Sequence, residues 1–225
     1  MPAAPRKKTT RQSRETRTKA ILAAARQVFE THGYEKATVA EIAESVGVVE
    51  GTVFSYFPSK RILVLKVMEE FYAGITAVLE DGIKAVEGST RNRLHYIVWN
   101  HLNIVSRNRA LCGVIIRESR GLDKALSEGV HSMNRRYTNI VRQVVQQGID
   151  NGEIRPGTSV ALVRNTIFGT IEHYLWDLIS GSTELDTDTV AESLTSLVFN
   201  GIASNDEVIN KRDVNQLISK LNDLI

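Results

Sequence analysis

The chain has little cysteine and no long hydrophobic run, and each shortage excludes a class of protein. The single cysteine, Cys112, allows no internal disulfide, which excludes the disulfide-rich secreted domains and favours an intracellular protein. No apolar stretch approaches the roughly 18 residues that suggest a membrane span. The basic N-terminus is not followed by the apolar segment of a secretory signal. We therefore expect a cytoplasmic protein with no membrane partner.

The chain also lacks the sequence motifs of common enzymes. It contains no phosphate-binding P-loop, no dinucleotide-binding glycine pattern, no nucleophile elbow and no His-Glu-x-x-His motif. Its five histidines and one cysteine have no metal-ligand spacing. We expect a protein that is not an enzyme and needs neither metal nor cofactor. A helical-bundle enzyme is the remote alternative, and measurable turnover would reveal it.

Positive charge is concentrated at the N-terminal end. Residues 1–26 contain eight Lys and Arg against one Glu, a net charge of +7, so the other 199 residues carry −5 within a chain total of +2. A basic end on a mildly acidic body suits contact with a polyanion such as nucleic acid, although a solvated tail has the same composition. Arg14 and Arg17 are predicted either to enter a minor groove or follow phosphates, or to remain solvated.

The chain has only four prolines, and the segments between them show a helical period. No strand-like alternation flanked by hairpin turns occurs, so the fold is predicted to be all-α. Apolar spacing, caps and the boundaries at Pro58 and Pro156 predict nine helices. They are expected at about 13–31, 39–46, 50–57, 59–86, 90–106, 108–119, 123–150, 159–180 and 189–202. A further amphipathic helix is expected over 205–225.

Two short predicted helices form a helix-turn-helix. Thr38 and Glu41 have the spacing of a capping box, Gly47 ends the first helix, and the second begins near Glu50. A second helix of this kind enters the major groove and reads bases from its N-terminal end, where residues should be small or polar. Val53 and Phe57 are predicted to face the core instead. A three-helix core without DNA contact is the alternative.

The residues of this segment resemble the DNA-binding domain of the TetR (tetracycline-repressor-like) family. The resemblance covers roughly residues 14–63 and rests on ATVAEIA at 37–43, GV at 47–48 and GTVFSYFPSK at 51–60. The segment ILAAA at 21–25 also resembles the family's first helix. The family implies an N-terminal three-helix helix-turn-helix domain, followed by a helical domain that binds a ligand and dimerises.

The resemblance implies a set of DNA contacts. Thr38 would donate to a phosphate, the small residues of the second helix would face bases or backbone, and Tyr56 and Lys60 would contact phosphates. Two residues depart from the family pattern, because Val49 stands where a polar residue is common and Phe54 where Tyr is usual. Either change could weaken affinity or alter sequence preference. The predicted DNA-binding set is Arg14, Arg17, Thr38, Val49, Glu50, Gly51, Thr52, Ser55, Tyr56 and Lys60.

Polar and aromatic residues that interrupt apolar helix faces are the candidates for a ligand pocket. We predict Trp99, His101, Arg117 and Asn165 as ligand-binding residues, although each alone is compatible with ordinary packing or a surface position. The predicted lining has few charges, so the effector is expected to be a hydrophobic or amphipathic small molecule, either drug-like or fatty-acyl.

The helices at 159–180 and 189–202 each carry two apolar faces, which indicates that one face covers the core and the other a second copy. The resulting four-helix bundle makes a homodimer, and a dimer can read a palindromic operator. The predicted interface consists of Phe168, Gly169, Leu175, Ile179, Phe199 and Ile202.

These expectations divide the chain into four parts. They are a flexible basic arm over 1–12, a DNA-binding domain over 13–60, a ligand-binding and dimerisation domain over 61–204, and the C-terminal helix over 205–225. The predicted function is a ligand-responsive repressor that leaves double-stranded operator DNA when its effector binds. A transcriptional activator and a ligand-independent DNA-binding protein are the alternatives, the latter binding broadly and with a steep salt dependence.

Overall fold

The computed structural model describes residues 13–181 and 185–204, and within them the chain is almost entirely helical. The predicted arm over 1–12 and the predicted helix over 205–225 lie outside the described residues. The all-α prediction is confirmed, and the described helices agree with the predicted ones to within a few residues. They are α1 (Arg14–Lys36), α2 (Val39–Ser45), α3 (Glu50–Tyr56), α4 (Lys60–Lys84), α5 (Thr90–Arg107), α6 (Arg109–Ser119), α7 (Lys124–Asp150), α8 (Val160–Ile179) and α9 (Thr187–Ile202).

The helix ends follow local chemistry, with two differences from the predictions. Gly33 interrupts α1 with a φ of 74°, a conformation that glycine adopts without strain, but helical structure resumes as far as Lys36. The start of α9 was predicted from a Thr189–Glu192 capping box and is wrong there. Asp186 caps the helix two residues earlier by accepting a hydrogen bond from the backbone N–H of Thr189.

The described residues form two compact units. The first contains 13–78, 104–137 and 175–181, and the second contains 79–103, 138–174 and 185–204. The long helices α4, α5, α7 and α8 therefore contribute residues to both units. The N-terminal helices share the first unit with later parts of the chain, which the linear division into domains did not anticipate.

The first unit has a continuous apolar core. The buried residues of α1 include Ile21, Leu22 and Phe29, and they join buried residues of α2, α3, α4, α6 and α7. Arg26 adds polar links on one side of this core, because its guanidinium donates to Glu30 at 2.8 Å and to Asn108 at 2.7 Å. The first helix is thus held to the residue that precedes α6 as well as to α2.

The second unit combines helix packing with a few polar connections. Its core contains Leu94, Ile97 and Val98 from α5 and Ile167 and Ile171 from α8. The carboxylate of Glu153 accepts hydrogen bonds from the backbone N–H and the hydroxyl of Thr90, at 2.7 and 2.9 Å. These bonds satisfy an otherwise unpaired N–H group at the first turn of α5. None of the helices in the described ranges is long and apolar enough to cross a membrane.

Candidate DNA-binding site and ligand-sensing region

The connection between α2 and α3 is a tight turn built from local hydrogen bonds. The hydroxyl of Thr38 accepts from the backbone N–H of Glu41, and the Glu41 carboxylate accepts from the Thr38 N–H at 2.8 Å, so the predicted capping box is confirmed. These hydrogen bonds lower the pKa of Glu41. At the other end of α2, Gly47 has a φ of 67° and the N–H of Val48 donates to the Ala43 carbonyl at 3.0 Å.

The core determines which side of α3 faces outward. Val53 and Phe57 are buried as predicted, and they pack in the first core with Ile42. With 100° of rotation per residue, this orientation turns Gly51 and Ser55 away from the core, and both are exposed. Nothing lies within 4 Å of the position that a Cβ at Gly51 would occupy. The outward surface of α3 is therefore small and open.

Other predicted DNA-binding residues surround this surface in the first unit. Glu50 is exposed and Thr52 is half-buried. The guanidinium of exposed Arg14 lies 5.5 Å from the centre of the Tyr56 ring, and Arg17 donates to the Val46 carbonyl at 3.4 Å. These contacts place the first two turns of α1 beside both ends of the helix-turn-helix.

Lys60 has contacts that the sequence pattern did not indicate. Its ammonium group donates to the backbone carbonyls of Tyr34, Glu35 and Ala37 at 2.9, 3.2 and 3.1 Å. It also lies 4.7 Å from the centre of the Tyr34 ring. Lys60 thus satisfies carbonyls at the end of α1, and its contact with a phosphate stays a prediction.

The four predicted ligand-binding residues do not share one environment. The indole N–H of Trp99 donates to Asp188 at 2.6 Å, which connects α5 with the start of α9. The His101 ring packs edge-on against Phe168 with 4.8 Å between centroids, and desolvation lowers the pKa of His101 to about 4. Arg117 belongs to the first unit and is exposed, and Asn165 is exposed on α8. Their role in ligand binding stays a prediction.

An open groove with mixed lining runs along α7 in the second unit. It has a volume of about 260 Å³ and combines aliphatic side chains with cations and amides. A second groove of about 450 Å³ shares Gln143 and Gln147 with it and adds Arg142. The lining of the first is Ile83, Lys84, Val86, Arg93, Ile140, Gln143, Val144 and Gln147. Sequence periodicity could not find these grooves, because their lining comes from three helices.

The predicted dimer interface needs one correction. Leu175 is only 2% exposed within the single chain, so it belongs to the chain's own core and has no surface to offer a partner. It follows Ile171 by four residues and therefore lies on the same face of α8. Phe168, Ile179, Phe199 and Ile202 are half-buried, and Gly169 is exposed.

The exposed apolar residues of these helices lie on the opposite side. Leu162 of α8 is 64% exposed and stands seven residues before Gly169, which places the two on one helical face. Leu197 of α9 is 72% exposed. Sequence analysis missed both leucines, although the seven-residue spacing was a usable signal.

Within the described ranges, no cluster of three or more His, Cys, Asp or Glu side chains could hold a metal ion. The capped α2, the glycine turn and the outward polar face of α3 define a helix-turn-helix protein.

Comparison with known protein families agrees with this class. Residues 21–67 match the model described as bacterial regulatory proteins, tetR family, and residues 87–202 match the tetracyclin repressor-like C-terminal domain. The chain belongs to the TetR family of bacterial regulatory proteins.

The chain is similar over most of its length to regulators of lipid metabolism. The fatty acid metabolism regulator protein of Bacillus subtilis is 27% identical over 182 residues, which are 81% of this chain and 93% of that protein. The structure of the regulator FadR from Bacillus subtilis in complex with stearoyl-CoA has a TM-score of 0.74 and 27% identity, covering 82% of this chain and 98% of that one. The transcriptional repressor KstR2 of Mycolicibacterium smegmatis is 22% identical over 191 residues, 81% of this chain and 88% of that protein.

Proposed function

We propose that this protein is a ligand-responsive transcriptional repressor that binds a palindromic operator as a homodimer and is released by a long-chain fatty acyl-CoA. The observation that carries the proposal is the capped α2–turn–α3 unit, with an open and small outward face on α3, in a chain of the TetR family. It would act in the cytoplasm, where its operator lies, and the proposal assigns it no reaction to catalyse.

The DNA contact follows from the geometry of the first unit. Gly51 and Ser55 face outward from α3, so the backbone can approach the base edges of a major groove about 12 Å wide. Arg14 and Arg17 extend the same surface with positive charge, which suits phosphate contact. The remaining predicted residues of α3 and its flanks complete the proposed contact surface.

A dimer is supported by the unpartnered apolar residues of the last two helices. Leu162, Gly169 and Leu197 are exposed in the single chain, whereas Leu175 is buried. We therefore place the proposed interface on the faces of α8 and α9 that carry these exposed residues. Two copies related by a two-fold axis would present two α3 helices to successive half-sites, which a palindrome requires.

The effector class is supported by the relatives and by the chemistry of the groove along α7. The FadR structure holds stearoyl-CoA, and the chain is 27% identical to it. A fatty acyl-CoA joins an apolar chain to a head group with several negative charges. The groove offers Ile140 and Val144 beside Lys84 and Arg93, so its lining can contact both kinds of group.

Release would follow from linkage between effector and DNA binding. The effector shifts the dimer away from its DNA-binding conformation only by the difference in its affinity for the two conformations, about 1–3 kcal/mol in most cases. Helix α4 supplies residues to both units, so a change of its tilt is the proposed route to a new spacing of the two α3 helices.

Fluorescence anisotropy with labelled DNA from upstream of the gene tests the proposal. Stearoyl-CoA should weaken DNA binding at least about fivefold, the lower end of typical coupling, while free CoA and stearate should not. The double variant Lys84→Gln with Arg93→Gln should need more stearoyl-CoA, and exposed Arg109→Gln in the first unit is the matched control. DNA binding that no acyl-CoA alters would contradict the effector and leave the DNA contact standing.

A further inference from the structure

Val49 is an apolar residue at a position where helices usually carry a polar one. It directly precedes α3 with extended backbone angles, φ −82° and ψ 152°, and its side chain makes no capping hydrogen bond. Thr38, which precedes α2, does cap its helix. Ser, Thr, Asp and Asn stabilise a helix at this position and Val does not, so the chain forgoes a stabilising contact at α3.

The Val49 side chain is also largely open to solvent. It is 74% exposed, while Val53 one turn into α3 is fully buried. A single exposed apolar residue is common on protein surfaces and needs no explanation by itself. Val49 combines exposure with the missing cap, and it lies two residues before Gly51, where the surface of α3 is open. Neither helix stability nor core packing accounts for a valine here.

We infer that Val49 contacts the C5-methyl group of a thymine in each operator half-site. This inference rests on the proposed function, because it takes α3 as the element that enters the major groove. The base edges in that groove present hydrogen-bond donors and acceptors, and the thymine methyl is the apolar group among them. Val49 would therefore select a T·A pair at one position, by contact between methyl groups.

The test removes the methyl group from either side of the contact. Binding sites are first selected from a random duplex library with the wild-type protein, and each thymine is then replaced by deoxyuridine, which pairs identically but lacks the methyl. One thymine per half-site should lower affinity about three- to fivefold on replacement, the factor expected for burying one methyl-sized group. In Val49→Ala the same replacement should have no effect.

Two controls make the result specific. Placing 5-methylcytosine instead of cytosine at that position restores a methyl at the same site in the groove, and it should recover affinity for the wild type but not for Val49→Ala. Leu122→Ala removes another exposed apolar side chain of the first unit, and it should keep the wild-type sensitivity to deoxyuridine.

The outcomes separate this inference from the proposed function. Selective DNA binding in which Val49→Ala keeps the full thymine-to-deoxyuridine difference, or in which no thymine methyl matters, overturns the Val49 contact alone. A wild-type protein that selects no DNA sequence overturns the proposed function and this contact together.

Discussion

The ammonium nitrogen of Lys60 lies 2.9 Å from the backbone carbonyl oxygen of Tyr34 and 4.7 Å from the centre of the Tyr34 ring. Lys60 is the first residue of α4 and Tyr34 follows the break at Gly33 in α1. One side chain thus joins the start of a long helix to the end of the first. The cation interacts with three carbonyl dipoles and an aromatic face, all of which favour its charged form.

Replacement of Lys60 should lower stability more than it changes the salt dependence of DNA binding. Lys60→Gln removes charge-assisted hydrogen bonds and should cost about 1.5–3 kcal/mol in urea unfolding. Lys36→Gln, at an exposed site in the last turn of α1, should cost little. A Lys60 that instead contacts a phosphate would reduce the slope of log K against log salt by about 0.9, and anisotropy at several salt concentrations measures this.

A polar residue at position 49 should stabilise the fold. Val49→Ser supplies an acceptor for the free N–H groups at the start of α3 and should add about 0.5–1 kcal/mol to the free energy of unfolding. Thermal unfolding followed by circular dichroism measures the change. Val49→Ala is the comparison, since it adds no cap. Equal melting temperatures for the two variants would show that the backbone at position 49 does not support capping.

Stability should fall in mildly acidic solution because of His101. Its pKa is lowered to about 4 in the folded chain, against about 6.5 unfolded, so only the unfolded state takes up the proton between these values. The contribution is fully present above pH 6.5 and is lost as pH falls towards 4, reaching roughly 2 kcal/mol at pH 5.

Urea unfolding between pH 4 and 7 checks this dependence. His101→Gln should flatten the profile relative to the wild type, whereas the exposed His131→Gln should leave its shape unchanged. Carboxylates titrate in both variants and cancel in the comparison. The same slope in His101→Gln would assign the acid sensitivity to other groups.

The two faces of the last helices should respond differently to substitution. Leu162→Arg combined with Leu197→Arg places charges on exposed surface, so the chain should fold but elute as a monomer and lose most operator affinity. Leu175→Ala should instead lower folding stability by about 2–5 kcal/mol, because it leaves a cavity in the chain's core. Analytical ultracentrifugation of Leu122→Arg, which should match the wild type, is the control. A dimeric Leu162/Leu197 variant would move the interface elsewhere.

Local features were predictable from the sequence because they depend on neighbouring residues. The Thr38–Glu41 capping box, the glycine turn and the burial of Val53 and Phe57 depend on short spacings, and the structure confirms them. The start of α9 was misplaced although Asp186 is also a local cap, since the pattern allowed two cap residues three positions apart.

Residue patterns near one another in sequence decided the helices, their order and the helix-turn-helix, because helical period and capping act over three or four positions. Tertiary structure decided what each polar or apolar face contacts. Lys60 reaches carbonyls more than twenty positions earlier, Trp99 bonds to Asp188, and Leu175 is covered by its own chain. Such contacts depend on the packing of whole helices, and a helical period alone states which residues share a face but not which neighbour covers it.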